Sequence, residues 1–368
     1  DVCSSDLGTD MVTYYVGNSN GLRLLNGAGF SGEYAGDLNT ANANVRLTAN
    51  TTATTTNTNS IILNGYNITN PGGATTLPIA SASLAGNILI NTANDIAGSN
   101  TTLGITTYEL PILATANSTI SAVIGTATSG LLTLSGTGNV TLSANNPYVG
   151  YTYINNATLT YGINDVISSG NLAVVGGTLN LSNYSDTVGL VFLTAGIINT
   201  GSGTLTLGGQ LTTYANANYA SIITGNLGLG ANRDINVFDG LMDNDTIISA
   251  VISGSFTLTK IINSGVLFLS GNNTYTGLTT VSAGVLRLGA TGNGTNTPLG
   301  TIAGGTIVSG ASSALDLNGY TLVTAEPLTL SGALATGALQ NTSSGAVSYS
   351  GLIPLGAAST IIATYGDI

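Results

Sequence analysis

The sequence predicts an all-β parallel β-helix, a solenoid of short stacked coils, and three observations predict it. Apolar and polar residues alternate over short stretches, Gly, Asn or Ser interrupts every few residues, and several segments recur at long spacing. Alternation with period two marks a strand with one buried face. The interruptions end strands and supply left-handed backbone at corners. Reuse of a segment is what stacked coils require, because like residues then lie above like.

The strands are the plainest element. Val266-Leu267-Phe268-Leu269 and Val285-Leu286-Arg287-Leu288 each alternate sides. No stretch shows a capped 3.6-residue apolar period. With 51 glycines and many β-branched residues, helix is disfavoured throughout.

The repeats come next. LSANNPYVGYTYINNATLTYG, from Leu142 to Gly162, aligns without a gap on LSGNNTYTGLTTVSAGVLRLG, from Leu269 to Gly289. Upstream, Ile120-Ser121-Ala122-Val123-Ile124 recurs as Ile248-Ser249-Ala250-Val251-Ile252. Leu63-Asn64-Gly65-Tyr66 recurs as Leu317-Asn318-Gly319-Tyr320, with Leu179-Asn180-Leu181-Ser182-Asn183-Tyr184 a looser relative. A β-sandwich also uses short strands and frequent turns, but it has no reason to reuse segments in this way.

Coils of about 22 residues are expected, with neighbouring strands about 4.8 Å apart and Asn amides laddering from rung to rung at the corners. Asn145 and Asn272 are expected in equivalent turns. Leu142, Ile154, Leu159, Leu267, Leu269, Val281, Leu286 and Leu288 are expected to point inward, with Lys260 and Arg287 outward. Residues 40–60, rich in Asn, Ala and Thr, read as an irregular coil or loop, and residues 8–368 read as one continuous β-helix.

Composition bounds the chemistry. Charged residues are 6% of the chain, against roughly 25% in an ordinary soluble domain, so Thr, Ser, Asn and Gly must cover the surface. The net charge is −11, with Arg23, Arg46, Arg233, Lys260 and Arg287 as the only bases. Five scattered bases assemble no patch for a phosphate backbone, so nucleic acid is not a partner. The chain has no His and a single cysteine, Cys3. That leaves no Ser-His-Asp triad, no imidazole or thiolate zinc site and no intrachain disulfide. No cofactor is expected. No apolar run is long enough for a membrane-spanning helix.

Residues 1–7, Asp1-Val2-Cys3-Ser4-Ser5-Asp6-Leu7, read as the translation of a widely used sequencing adapter. A lipidated Cys3 would need a preceding apolar signal stretch, which the sequence lacks. Neither a cap before Thr9 nor one after Ile361 is visible, so the β-helix is expected to be an uncapped piece of a longer chain.

The segment from Ile248 to Leu288 resembles the autotransporter passenger-associated β-strand repeat. It carries the Gly/Ser turn leading into Leu258-Thr259-Lys260, then Gly265-Val266-Leu267-Phe268-Leu269-Ser270-Gly271, Asn272-Asn273-Thr274-Tyr275-Thr276-Gly277 and Gly284-Val285-Leu286-Arg287-Leu288-Gly289. It departs from the family pattern at Leu278, where Gly is usual, and at Ile261-Ile262-Asn263, where Thr-Gly is usual. The copy at 142–162 is more diverged. The resemblance implies a right-handed β-helix. It also implies export across the outer membrane of a Gram-negative bacterium through a C-terminal β-barrel that this sequence does not contain. The expected role is a structural or adhesive passenger at the cell surface or secreted, not an enzyme, with a host or neighbouring-cell surface or a glycan as partner.

The alternative is a β-helical polysaccharide lyase or hydrolase of the tailspike kind, which would need paired carboxylates. The one dense acidic stretch holds Asp234, Asp239, Asp243 and Asp245. These residues read as strand-end turns, with calcium binding by Asp243, Asn244 and Asp245 as the sharper reading. Tyr148, Tyr151, Tyr153 and Tyr161 are read the same two ways. They pack on the neighbouring coil, as expected for Tyr148 and Tyr275, or they line a sugar-binding face.

Overall fold

A computed structural model describes residues 12–15, 21–24, 34–41, 43–69, 72–81, 84–85, 87–98, 100–104, 109–125, 130–324, 326–331 and 337–368. Cys3 and the rest of residues 1–7 lie outside them. The chain divides into two compact units, residues 1–170 and 171–368. The described residues contain no helix.

In the first unit, parallel strands stack coil on coil. One sheet runs through Ala43–Arg46, Thr58–Ile62, Asn87–Ile90, Glu109–Ala114, Leu131–Ser135 and Thr152–Asn155. A second runs through Asn94–Ile96, Ser118–Ile120, Asn139–Leu142 and Thr158–Tyr161. A short third side pairs Thr75–Pro78, Thr101–Gly104 and Val123–Ile124. Residues 40–60 contribute Ala43–Arg46 to the stack, so they are not simply a loop. Register places Ile61, Ile88, Ile112, Leu134 and Ile154 in one interior row, every one of them buried. Alternation fixes this, because a strand's inward residues share parity and meet the inward residues of the next coil.

The second unit repeats the plan. Leu172, Val191, Leu211, Ile235, Lys260, Val281, Val308 and Leu330 form one interior row. Ile198, Ile223, Ile248, Leu269 and Leu288 form another. Coil length varies from 19 residues between Val174 and Leu193 to 29 between Leu286 and Leu315, around the expected 22.

All eight predicted inward residues are buried, and Arg287 lies between buried Leu286 and Leu288 on the outward parity. Lys260 corrects the expectation: it points inward and is fully buried. The strand Leu258–Ile261 alternates buried and half-buried, so a buried Leu258 forces Lys260 inside and Ile261 outside. Strand parity, not charge, decides which way this side chain faces.

Each recurring segment has its own recurring geometry. In all three Leu-x-x-Tyr segments the two central residues are left-handed: Asn64 and Gly65 (φ 52 and 86), Ser182 and Asn183 (49 and 77), Asn318 and Gly319 (49 and 82). The tyrosine N–H donates to the leucine carbonyl three residues back, at 2.9, 2.8 and 2.8 Å respectively. This is the type I′ turn, for which Asn-Gly is the favoured pair.

The predicted ladders are present. In the first unit Asn50 Oδ1 accepts the Asn67 N–H, Asn67 Oδ1 accepts the Asp95 N–H and Asp95 Oδ1 accepts the Thr119 N–H, one coil to the next. In the second unit Asn183 and Asn232 do the same for Ser202 and Thr257. Each bond gives a backbone N–H of the next coil a side-chain acceptor.

Candidate functional site

The ungapped repeat builds the same polar network in each unit. In the first, Asn146 Oδ1 accepts the Ile124 N–H at 2.7 Å, and its amide donates to the Val166 carbonyl at 2.8 Å. In the second, Asn273 Oδ1 accepts the Ile252 N–H at 2.8 Å and its amide donates to the Pro298 carbonyl at 2.6 Å. One side chain therefore ties three coils together. Asn145 and Asn272, the neighbours singled out in the sequence, are exposed in both copies. Three residues on, Tyr148 and Tyr275 are completely buried, and each hydroxyl sits 2.6 Å from a threonine hydroxyl, Thr152 or Thr279. Burial holds the Tyr275 phenol far above its ordinary pKa.

Both tyrosines thus pack as expected. Tyr161 is buried as well, while Tyr151 and Tyr153 stack on each other at 5.2 Å between ring centres. The four do not line one exposed face.

The acidic stretch disperses. Asp234 is exposed within the strand Arg233–Phe238, and Asp239 follows that strand, with its Oδ2 accepting from Ser264 Oγ at 3.2 Å. Asp245 is completely buried: Oδ1 takes the Gly240 N–H and Oδ2 the Val266 N–H, both at 2.8 Å. The Asp243 carbonyl and Asn244 Oδ1 both accept from Arg287 Nη1, at 2.8 and 3.0 Å. A guanidinium therefore stands against two of the oxygens that the calcium reading assigns to a cation. No group of three or more His, Cys, Asp or Glu placed to hold a metal occurs among the described residues.

Lys260, Asp316 and Glu326 are buried ionisable groups whose surroundings only the fold reveals. Lys260 Nζ donates to the carbonyls of Ala283 at 2.7 Å and Asn263 at 3.1 Å. Desolvation lowers its pKa to about 8, against an opposing pull from Asp245 and Asp239. Asp316, fully buried, meets Arg287 Nε at 2.8 Å and also accepts from Thr342 Oγ1 at 2.7 Å. Glu326 accepts from Thr297 Oγ1, and burial raises its carboxyl to about 7 although the Thr297 and Thr306 hydroxyls oppose the shift. The parity of Leu258 could have exposed Lys260. Nothing local to Glu326 or Asp316 gives a comparable signal.

The corner between the two sheets of the second unit is uneven. Some coils turn it tightly, at residues 176–177, 195–196 and 282–283, and one later coil takes four residues, 309–312. Three consecutive coils extend it, at residues 215–220, 239–245 and 262–265. Tyr219, Leu241 and Ile262 stand there at 65%, 82% and 66% exposure.

Parallel coils joined by a recurring three-coil network define a β-solenoid repeat protein. Residues 132–160 and 262–288, which hold the two Asn-Tyr networks, match the passenger-associated-transport-repeat family. Two such repeats on a β-solenoid fit an autotransporter passenger repeat protein. No curated protein and no solved structure matches the chain.

Proposed function

We propose that this chain is a structural or adhesive passenger, displayed at the surface of a Gram-negative cell or released from it, and that it performs no catalysis. The observation that carries the reading is the duplicated network around Asn146–Tyr148 and Asn273–Tyr275. Both copies devote their most distinctive side chains to joining coils, and none of these side chains is left facing outward for chemistry.

The rest of the molecule supports it. Stacked coils bury a continuous core without disulfides, which suits a chain that crosses a membrane unfolded and folds outside. The chain has no His, and its dense acidic stretch holds backbone and a guanidinium rather than converging as a carboxylate pair.

The test is display. The chain is fused ahead of an outer-membrane β-barrel in a Gram-negative host, and intact cells are treated with proteinase K. The expected result is a folded passenger on the outside, increased attachment of the cells to host-cell or glycan-coated surfaces or to one another, and no reducing ends released from polysaccharides. Retention in the periplasm, or polysaccharide cleavage, would overturn the proposal.

A further inference from the structure

The three extended corners of the second unit belong together. A Cβ built on Gly240 would lie 2.9 Å from the Ala215 Cβ, and Asp239 meets Ser264 at 3.2 Å, so each corner touches the next. They are also ordered. Asn216 Oδ1 accepts the N–H groups of Asn218 at 2.8 Å and Tyr219 at 2.7 Å, and its own N–H donates to the Tyr219 carbonyl. Asp245 and Arg287 pin residues 240–245 from below. Insertions into a repeat map to loops on one face of the stack, and a rigid scaffold that presents loop residues is where recognition concentrates.

The side chains at these tips do not serve the fold. Tyr219, Leu241 and Ile262 leave most of their surface in water. Ile262 also adopts φ 52, a left-handed conformation that is strained for a β-branched residue. A strained isoleucine that leaves most of its surface in water points to a contact outside the chain.

Charge selects the partner. Asp239 and Asp243 flank the apolar tips and are exposed. The two bases nearby do not balance them, since Lys260 is buried on carbonyls and Arg287 is held by Asp316, Asp243 and Asn244. A second copy of this chain, with five bases in all, is a poor complement. An anionic membrane would be repelled. We propose that Tyr219, Leu241 and Ile262, with Asp239 and Asp243, form one recognition edge for a protein surface whose apolar pockets are rimmed by Lys or Arg. Only the place of encounter rests on the passenger reading. The binding chemistry stands on the edge itself.

The test uses the purified chain in solution, so a failure of surface display does not affect it. Fluorescence anisotropy follows binding of a peptide alternating Leu with Lys. The controls are the same peptide with Ser for Leu, the same peptide with Glu for Lys, and phosphatidylcholine vesicles with and without phosphatidylglycerol. The wild type should bind the Leu/Lys peptide, more weakly at high salt, and neither control peptide. The double variants Tyr219→Ser/Leu241→Ser and Asp239→Asn/Asp243→Asn should each weaken it at least fivefold. Ile262→Gly should weaken binding while leaving the melting temperature unchanged or higher, a combination a merely structural isoleucine cannot give. Equal binding by all variants, or equal binding of the Ser/Lys peptide, would overturn the proposal. Binding to vesicles but not to the Leu/Lys peptide would overturn it in favour of a membrane surface.

Discussion

Lys260 Nζ lies 2.7 Å from the Ala283 carbonyl, inside a row whose nearest members, Ile235 and Val281, are aliphatic. Burial penalises the ammonium, and the two carbonyls it meets only partly replace water. Because its folded pKa of about 8 lies below the ordinary 10.5, the native state binds fewer protons than the unfolded chain between those values. Stability should therefore rise with pH across that window.

Lys260→Met should melt at or above the wild-type temperature at neutral pH, since replacing a buried charge by an apolar side chain of similar volume is often neutral or stabilising. Thermal melts from pH 7 to 10.5 should also lose the upward slope. A variant that melts several degrees lower with the slope intact would show that the ammonium is a net stabiliser.

Glu326 sets the opposite trend. Its folded pKa, raised from 4.5 to about 7, makes the native state bind more protons, so its contribution is full below 4.5 and lost as pH rises through 7. The tyrosines that act on this carboxyl are Tyr275 and Tyr349, both themselves pushed well up by burial and uncharged across that range. Glu326→Gln should flatten the loss between pH 4.5 and 7 and stabilise the protein at pH 8. Taken with Lys260, the wild type should show its shallowest stability between about pH 7 and 8. A melting temperature that peaks there would contradict both assignments.

The Asn-Tyr network can be separated by substitution. Asn273→Ala leaves the Ile252 N–H and the Pro298 carbonyl without their partner, at about 1–3 kcal/mol for each buried group. Tyr275→Phe removes one hydrogen bond and should cost only about 1 kcal/mol, whereas Tyr275→Ala opens a cavity and should cost about 3–5 kcal/mol. Denaturant midpoints of the three variants should fall in that order of severity, Phe mildest. Equal effects of Phe and Ala would mean the ring is not packed.

Arg287 and Asp316 form a pair with one member fully buried. Arg287→Ala should destabilise by about 3 kcal/mol, because it strands a buried carboxylate. Adding Asp316→Asn should recover part of that loss. Additive effects in the double variant would show that the two side chains do not interact energetically.

Much of this architecture was legible from alternation and reuse. The Leu-Asn-Gly-Tyr segments foretold a common turn because Asn and Gly are the residues that tolerate its two left-handed positions. The looser Ser182-Asn183 relative forms it too. The recurrence of Ile-Ser-Ala-Val-Ile before Leu-Ser-x-Asn-Asn is, in the structure, a contact between successive coils, and which asparagine turns inward follows from strand parity that the corner interrupts. The inward facing of Lys260 is not legible from its charge, only from the parity of its strand. The extended corners at 215–220 and 239–245 were hidden for a different reason. Their Asn and Asp residues look like any strand-ending turn, and only the stack reveals that the two lie on neighbouring coils. The roles of Asp316 and Glu326 depend on partners 26–29 residues away, beyond the reach of a local pattern.

The asparagine ladders have a mechanical consequence. Each carboxamide crosses from its own coil to the backbone of the next, so within each unit these bonds run along the direction of stacking, beside those of the sheets. Tension spread over a whole coil loads all of them at once and must break them together. Tension applied to a single loose end loads one corner at a time and peels the coil away in small steps. Such a unit resists being stretched but yields to being unravelled, and whatever grips it by one strand will take it apart with far less force than whatever holds it by its faces.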